Sequence, residues 1–244
     1  MSSPKHLLLL QTGRAVPLVH DAHGDFPVLF DRGLQGADLP FTLEVVDVME
    51  APPDRLPAAD GVIVSGSASM VAENTPWMQQ TQVLMRQALD DDTPMLGVCF
   101  GHQLLGVALG CDVGPNHRGR MMGTVDVERH DGKDDALLQQ LPQTYTAQVS
   151  HVDVIRDAAG KLEVVGTSPH DPHHMVRVPG ARAWGVQYHP EFTPEVSALY
   201  LDTRREAVDA EYGEGHTDKW KAALRQSPHG PSILSAFVRM LHAD

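Results

Sequence analysis

The sequence predicts an α/β protein with a mostly parallel central sheet flanked by helices, a nucleophile elbow, a small antiparallel section and a helical C-terminal tail. Three observations predict it. Short apolar runs alternate with helix-spaced segments over the first hundred residues, which is the βα pattern of a parallel sheet. Gly97-Val98-Cys99-Phe100-Gly101 sits at one strand-to-helix switch, the layout of a nucleophile elbow known best in its serine form. Apolar residues make up 42% of the 244, enough to fill a core and to argue against disorder.

In chain order, His6 to Gln11 reads as a buried first strand, and Thr12 to Gly24, punctuated by Gly13, Pro17 and Gly24, as a loop on the rim of a site. Asp25 to Leu34 reads as a short helix. Phe41 to Val48 is a second strand that stops at Pro52-Pro53, and Gly61 to Val64 is a third. The third runs into Ser65-Gly66-Ser67-Ala68-Ser69, where the lack of bulk leaves backbone N–H groups free to act as donors at a strand's carboxyl end. Trp77 to Leu89 has helical spacing, and Asp90 to Asp92 form a solvated connection. Pro94 to Val98 is the elbow strand, and Leu104 to Leu109 begins its helix.

Beyond the elbow the pattern changes. Thr124 to Glu128, Thr144 to Val149, Leu162 to Gly166 and His174 to Val178 read as short strands, with a helix over Asp134 to Gln140 and turns at Asp131-Gly132 and Ala159-Gly160. They predict an antiparallel section attached to the parallel sheet. Ala183 to Tyr188 is a last apolar strand, with Trp184 in the core. The tail is helical over Pro194 to Ala210, Asp218 to Leu224 and Ser232 to His242. No segment reads as an interdomain linker, so residues 1–244 are expected to form one domain.

Net charge is −13, with 19 Lys and Arg against 32 Asp and Glu, which speaks against nucleic acid or an anionic membrane as the main partner. The only cysteines, Cys99 and Cys111, make no disulfide framework, and pairing them would consume the elbow thiol. A cytoplasmic location is the natural expectation. Leu7 to Leu10 is too short for a signal-peptide core or a membrane span.

The chemistry is expected at Cys99. A helix N-terminus favours its thiolate. His189 follows a strand ninety residues later, and an imidazole ordinarily has the near-neutral pKa a general base needs. Glu191 can accept from its imidazole and fix the tautomer, the orienting role of a triad acid. His170, Asp171, His173 and His174 are dense in sequence, but neighbours on a strand face opposite ways, so they read as a solvated surface patch. Neither a metal nor a cofactor is expected.

Gly97-Val98-Cys99-Phe100-Gly101-His102-Gln103, Gly185-Val186-Gln187-Tyr188-His189-Pro190-Glu191-Phe192 and Ser150-His151 together resemble the class I, or triad, glutamine amidotransferases. The likeness is to stand-alone relatives of the glutaminase domain of GMP synthase and covers roughly Leu7 to Phe192, with residues 193–244 as a helical extension. It implies a flavodoxin-like fold in which Cys99 attacks the glutamine carboxamide, His189 moves the proton and Glu191 orients it. It implies further that the N–H groups of Gly66 and Phe100 bind the oxyanion, while Gln103, Ser150, His151, Val152 and Asp153 hold the glutamine. Two departures stand out. Ser65-Gly66-Ser67 replaces the family's common Gly-Gly-Pro, and Met121 stands where the family often has a glutamate, so no substrate contact is assigned there.

Three functions follow as expectations. The first, the family default, is a glutaminase that supplies ammonia to a separate synthase, because the chain shows no Walker-type loop and no room after Phe192 for an ATP-pyrophosphatase domain. The second is a stand-alone hydrolase of γ-glutamyl amides or peptides, through the same thioester. The third is a regulatory protein with a dead site, against which the complete Cys99, His189 and Glu191 set argues. In the first two the substrate is a small molecule, glutamine or a γ-glutamyl compound.

Overall fold

The structure, a computed structural model, describes residues 3–130 and 135–243. Leu7 to Leu10 are fully buried because β1 (Lys5–Gln11) lies inside a sheet covered on both faces. It pairs in parallel with β2 (Phe41–Asp47) on one side and β3 (Gly61–Val64) on the other. β4 (Met95–Val98) adds to β3, and β11 (Ala183–Val186) adds to β4, both in parallel. Apart from the edge strand β2, whose residues are half-buried or exposed, these carry continuous apolar runs, as buried parallel strands require.

The sheet then reverses. β10 (Met175–Arg177), β9 (Glu163–Thr167), β6 (Met121–Arg129) and β7 (Thr144–His151) extend it with antiparallel pairings, giving nine strands among the described residues in the order β2-β1-β3-β4-β11-β10-β9-β6-β7. The expected parallel sheet with an antiparallel section is therefore present. A second, two-stranded sheet of β5 (Asp112–Pro115) and β8 (Asp153–Asp157) escaped the sequence reading, because Asp112 to Pro115 carries a Gly and a Pro in only four residues.

Helices α1 (Pro17–His23), α2 (Phe26–Gln35), α3 (Pro76–Asp90) and α4 (Phe100–Ala108) belong to the first half. The expected loop over Thr12 to Gly24 in fact holds α1: Pro17 opens it with a preset φ, and Val19 anchors it in the core. α2 starts where Asp25 caps it, accepting from the N–H of Phe26. α4 begins at Phe100, four residues before the expected start.

In the tail, the single helix expected over Pro194 to Ala210 is broken. α5 (Pro194–Thr203), capped by Thr193, ends at Arg204, where the backbone leaves helical geometry at φ −102°, ψ 10°, and α6 (Arg205–Tyr212) follows; both pack against α7 (His216–Ala222). α8 (Ser232–Ala243) buries Ile233, Leu234, Phe237 and Leu241, packing on α2 and β1. Of the helix expected over Asp134 to Gln140, the described residues form one 3₁₀ turn at Leu138–Gln140, stapled by Asp135, whose carboxylate accepts from the N–H groups of Leu137 and Leu138. The expected Asp131-Gly132 turn lies outside the described residues. Trp184 is buried as expected and donates its indole N–H to Asp135 at 3.0 Å.

Candidate active site

The site stands at the carboxyl ends of β3, β4 and β11, the usual position in an open α/β sheet. Cys99 occupies the turn between β4 and α4 at φ 51°, ψ −101°, a conformation that side chains rarely adopt. Its N–H donates to Val186 O at 2.8 Å, tying the elbow to β11. The flanking glycines are needed for close approach. A Cβ on Gly97 would lie 2.6 Å from Gly101 O, and one on Gly101 would lie 2.3 Å from Val64 O. The strain therefore sits on the cysteine, and the glycines let β4, α4 and β3 close around it.

His189 is delivered by the segment after β11. Its N–H donates to Gln148 O at 2.8 Å, and its Nδ1 lies 2.7 Å from Glu191 Oε1. With Nδ1 engaged, Nε2 is the nitrogen left for Cys99, which lies beside the ring at Gly66 and lines the same cavity. Phe192 stacks on the imidazole, centroids 4.0 Å apart. Burial works against a charge on His189, but the neighbouring Glu191 and then Cys99 outweigh it and raise the imidazole to about 10.

Gly66 closes the site from β3. A Cβ there would meet His189 Cε1 at 2.8 Å, so only glycine fits. The loop is locked from behind: Thr12 Oγ1 donates to Ser65 O at 2.8 Å, and the Gly101 N–H donates to the same carbonyl at 3.1 Å. A trans peptide points its N–H opposite to its C=O. Gly66 N–H is thereby turned away from Thr12 and Gly101. Phe100 N–H, in the first turn of α4, has no intrahelical acceptor.

One cavity of about 200 Å³ opens over Cys99 and His189. Gln103, Ser150, His151, Val152 and Asp153 all line it. The Gln103 amide is partly spent within the protein: Nε2 donates to Asp153 O at 2.7 Å and to Gln187 Oε1 at 3.2 Å. Fully buried Gln187 in turn points its Nε2 at Cys99 Sγ, 3.6 Å away. Asp153 is buried, both its carboxylate oxygens lack a hydrogen-bond partner among the described residues, and burial raises its pKa. His151 is also buried, which lowers its pKa to about 3.

The sequence reading missed Gln187, although it lies inside a quoted motif. The segment from Arg14 to Gly36 and the tail beyond Phe192 do wall the site, through Arg14, Phe26, Tyr200 and Arg204, but none of these is singled out by the sequence, and Arg120 lies outside both stretches. These five come from four separate segments, and no local spacing links them.

The histidine-rich segment is not the solvated surface patch that the sequence suggests. Asp171 and His174 are fully buried, 3.6 Å apart, with His174 stacked against Tyr188. Burial lowers fully enclosed His102 to about 4, while Asp171 is held at about 2, burial being overcome by its hydrogen bond to His174 and by the surrounding imidazoles. Asp171 and His174 lie in the turn that enters mid-sheet β10 and are enclosed there, while His170 and His173 stay half-buried. Among the described residues no three His, Cys, Asp or Glu are grouped to hold a metal ion, and no helix is long and apolar enough to cross a membrane.

A cysteine on an elbow, facing a histidine–glutamate pair at the carboxyl ends of a parallel sheet, defines the amidotransferase-like class of α/β proteins. Within that class, the chain belongs to the class-I glutamine amidotransferase family, whose sequence model matches residues 29–203. It is 30% identical to the glutamine-hydrolyzing GMP synthase subunit of Natronomonas pharaonis over 177 residues, which cover 71% of this chain and 86% of that one. It is equally 30% identical over 174 residues to the glutamine-hydrolyzing GMP synthase of Aeropyrum pernix, but the match covers only 32% of that longer protein. The chain thus spans about a third of the length of such full synthases. Among solved structures, a glutamine amidotransferase from Thermotoga maritima superposes with a TM-score of 0.70 at 17% identity, covering 98% of this chain and 99% of that one, a likeness of fold.

Proposed function

We propose that this chain hydrolyses the side-chain amide of glutamine through a γ-glutamyl thioester on Cys99. The observation that carries the reading is the buried His189, held by Glu191 at 2.7 Å and facing Cys99 in the cavity wall. Cys99 gives its proton to His189 Nε2, and the thiolate attacks the carboxamide carbon. The N–H groups of Gly66 and Phe100 stabilise the oxyanion; loss of one such donor costs about 10²–10³ in rate. His189 returns the proton to the departing ammonia. Water, activated by the same imidazole, then releases glutamate.

His189 suits both duties, since Glu191 favours its charged form and fixes its tautomer. Gln103, Ser150, His151, Val152 and Asp153 form the wall that would hold the glutamyl half. A cavity of about 200 Å³ is smaller than the roughly 300–1,000 Å³ of drug-sized pockets and suits a substrate the size of one amino acid. This favours glutamine over a γ-glutamyl peptide.

The relatives named as separate subunits of GMP synthase support a further step: the ammonia passes to a separate synthase that accepts it. We read residues 1–244 as one domain, because α5 and α8 of the tail pack on the sheet of the core. We read it as cytoplasmic because both cysteines are free thiols. The test is ammonia release from glutamine by the wild-type protein beside Cys99→Ser. Turnover in the wild type alone supports the reading; equal turnover in both sinks it.

A further inference from the structure

We propose that Arg204, at the junction of α5 and α6, reads a free carboxylate on the substrate and so sets the specificity of this site. The inference rests on the thioester reading of Cys99 and names what the site selects. Three arginines line the cavity. Arg14 is ion-paired with Asp47 and Asp25, and Arg120 with Glu211 at 3.3 Å. Arg204 is half-buried, and its guanidinium has no hydrogen-bond or ion-pair partner among the described residues. Its neighbour Arg205 turns the other way, to Asp218 at 2.7 Å and Asp202 at 3.3 Å. In a chain of net charge −13, a cation left without an acid inside a cavity is a conspicuous exception.

The placement is direct. Arg204 still donates its N–H to Tyr200 O at 3.0 Å, so the two residues sit one helical turn apart on one face, and both line the cavity. The Tyr200 ring packs on Phe192, 4.7 Å between centroids, and Phe192 lies on His189. Arg204 is therefore about one turn, roughly 5.4 Å along the axis, beyond the ring that leads to the imidazole. A guanidinium there lies within side-chain reach of the part of a small substrate that does not react. Its planar fork of donors matches a carboxylate in bidentate geometry. A half-buried charge with no partner also carries a desolvation cost, which a bound carboxylate offsets.

Two parts of a γ-glutamyl substrate can supply that group: the α-carboxylate of the glutamyl half, or a carboxylate on the departing amine. Four substrates separate them: L-glutamine, L-glutamine methyl ester, γ-glutamylglycine and γ-glutamylmethylamide. For Arg204→Gln, kcat/KM on the substrate carrying the read carboxylate falls about tenfold to a hundredfold, mainly through KM, and Arg204→Lys recovers part of it. A loss on glutamine that vanishes on its methyl ester assigns the α-carboxylate. A loss on γ-glutamylglycine that vanishes on the methylamide, with glutamine unaffected, assigns the departing amine. Equal losses on all four substrates, or none on any, overturn the inference. Calorimetry on Cys99→Ser keeps this separate from the catalytic reading. Binding of glutamine or γ-glutamylglycine that weakens about tenfold on adding Arg204→Gln upholds the role of Arg204 even if the wild type turns nothing over. Unchanged binding of both overturns it even if the thioester chemistry is sound.

Discussion

Glu191 Oε1 lies 2.7 Å from His189 Nδ1, and its second oxygen, Oε2, is buried with no hydrogen-bond partner among the described residues. The whole carboxylate is thus committed to one imidazole. Replacing it with the isosteric amide keeps the shape and removes the charge that most favours imidazolium. For Glu191→Gln we expect kcat on glutamine to fall by about 10²–10⁴ with little change in KM, the range of general acid–base catalysis. The sign at the thiol follows. A less basic His189 holds less of the Cys99 proton, so alkylation of Cys99 by iodoacetamide near pH 7 slows. An unchanged labelling rate would remove Glu191 from the proton path.

Cys99 pays for its position in backbone strain, since φ 51°, ψ −101° suits glycine better than any side chain. Cys99→Ser is expected to abolish turnover while the fold stands. Cys99→Gly is expected to be equally dead yet to unfold at the same or a higher temperature than wild type, relief of strain of order 1–3 kcal/mol offsetting the small side chain lost. Thermal melts of the two variants check this. A glycine variant clearly less stable than Cys99→Ser would show that the elbow is not strained at this residue.

Gly101 of the elbow and Gly66 of the loop after β3 call for opposite outcomes. Gly101→Ala sets a methyl 2.3 Å from the backbone oxygen of Val64, which cannot rotate away, so the contact between α4 and β3 opens and stability falls by about 1–3 kcal/mol or more. Gly66→Ala meets instead the edge of the His189 ring at 2.8 Å. Its cost falls on catalysis: the protein melts near the wild-type temperature, but kcat drops by at least about 10², because the imidazole is pushed off line and an oxyanion donor is disturbed. Equal melting temperatures for the two variants would contradict this division.

How much of this was legible in the sequence depends on locality. The elbow was readable because strand, strained residue, glycines and helix are contiguous, and the His189–Glu191 pair because two residues on one turn suffice. β1, β3, β4 and β11 announced themselves as apolar runs, since buried parallel strands need no alternation. The helix α1 was hidden by Gly13 and Pro17, which read as loop punctuation although Pro17 opens the helix. The break at Arg204 was invisible because nothing local marks it; both helices it separates pack on α7, a contact that spacing along the chain does not record. The burial of His174 and Asp171 depends on where the turn before β10 enters the middle of the sheet, a fact of topology. Gln187 and the wall of arginines depend on four distant segments meeting, which spacing along the chain does not record.

Burial drops His102 to about 4 and His151 to about 3, against an ordinary value near 6.5 in an unfolded chain; nearby Asp171 opposes this drop, while His174, with His173 beside His102 and His170 and His189 beside His151, adds to it. Both rings are therefore neutral in the folded protein at a pH where the unfolded chain has protonated them. The unfolded state then binds more protons, and stability falls as pH falls, starting near 6.5 and continuing to about 4 for His102 and about 3 for His151. Asp171, held at about 2, adds a further loss below its unfolded value near 3.8. A tenfold difference in proton affinity between the folded and unfolded chain corresponds to about 1.4 kcal/mol, so the histidines together account for several kcal/mol, a large share of the roughly 5–15 kcal/mol that stabilises a typical protein. The melting temperature should thus decline steeply between pH 6.5 and 4.5. His102→Gln removes one titrating ring and flattens that decline, even if its melting temperature at pH 8 is lower. The slope decides the matter: a wild-type melting temperature that is level from pH 7 to 4.5, or a variant with an undiminished slope, would mean that the buried imidazoles take up protons without opening the fold.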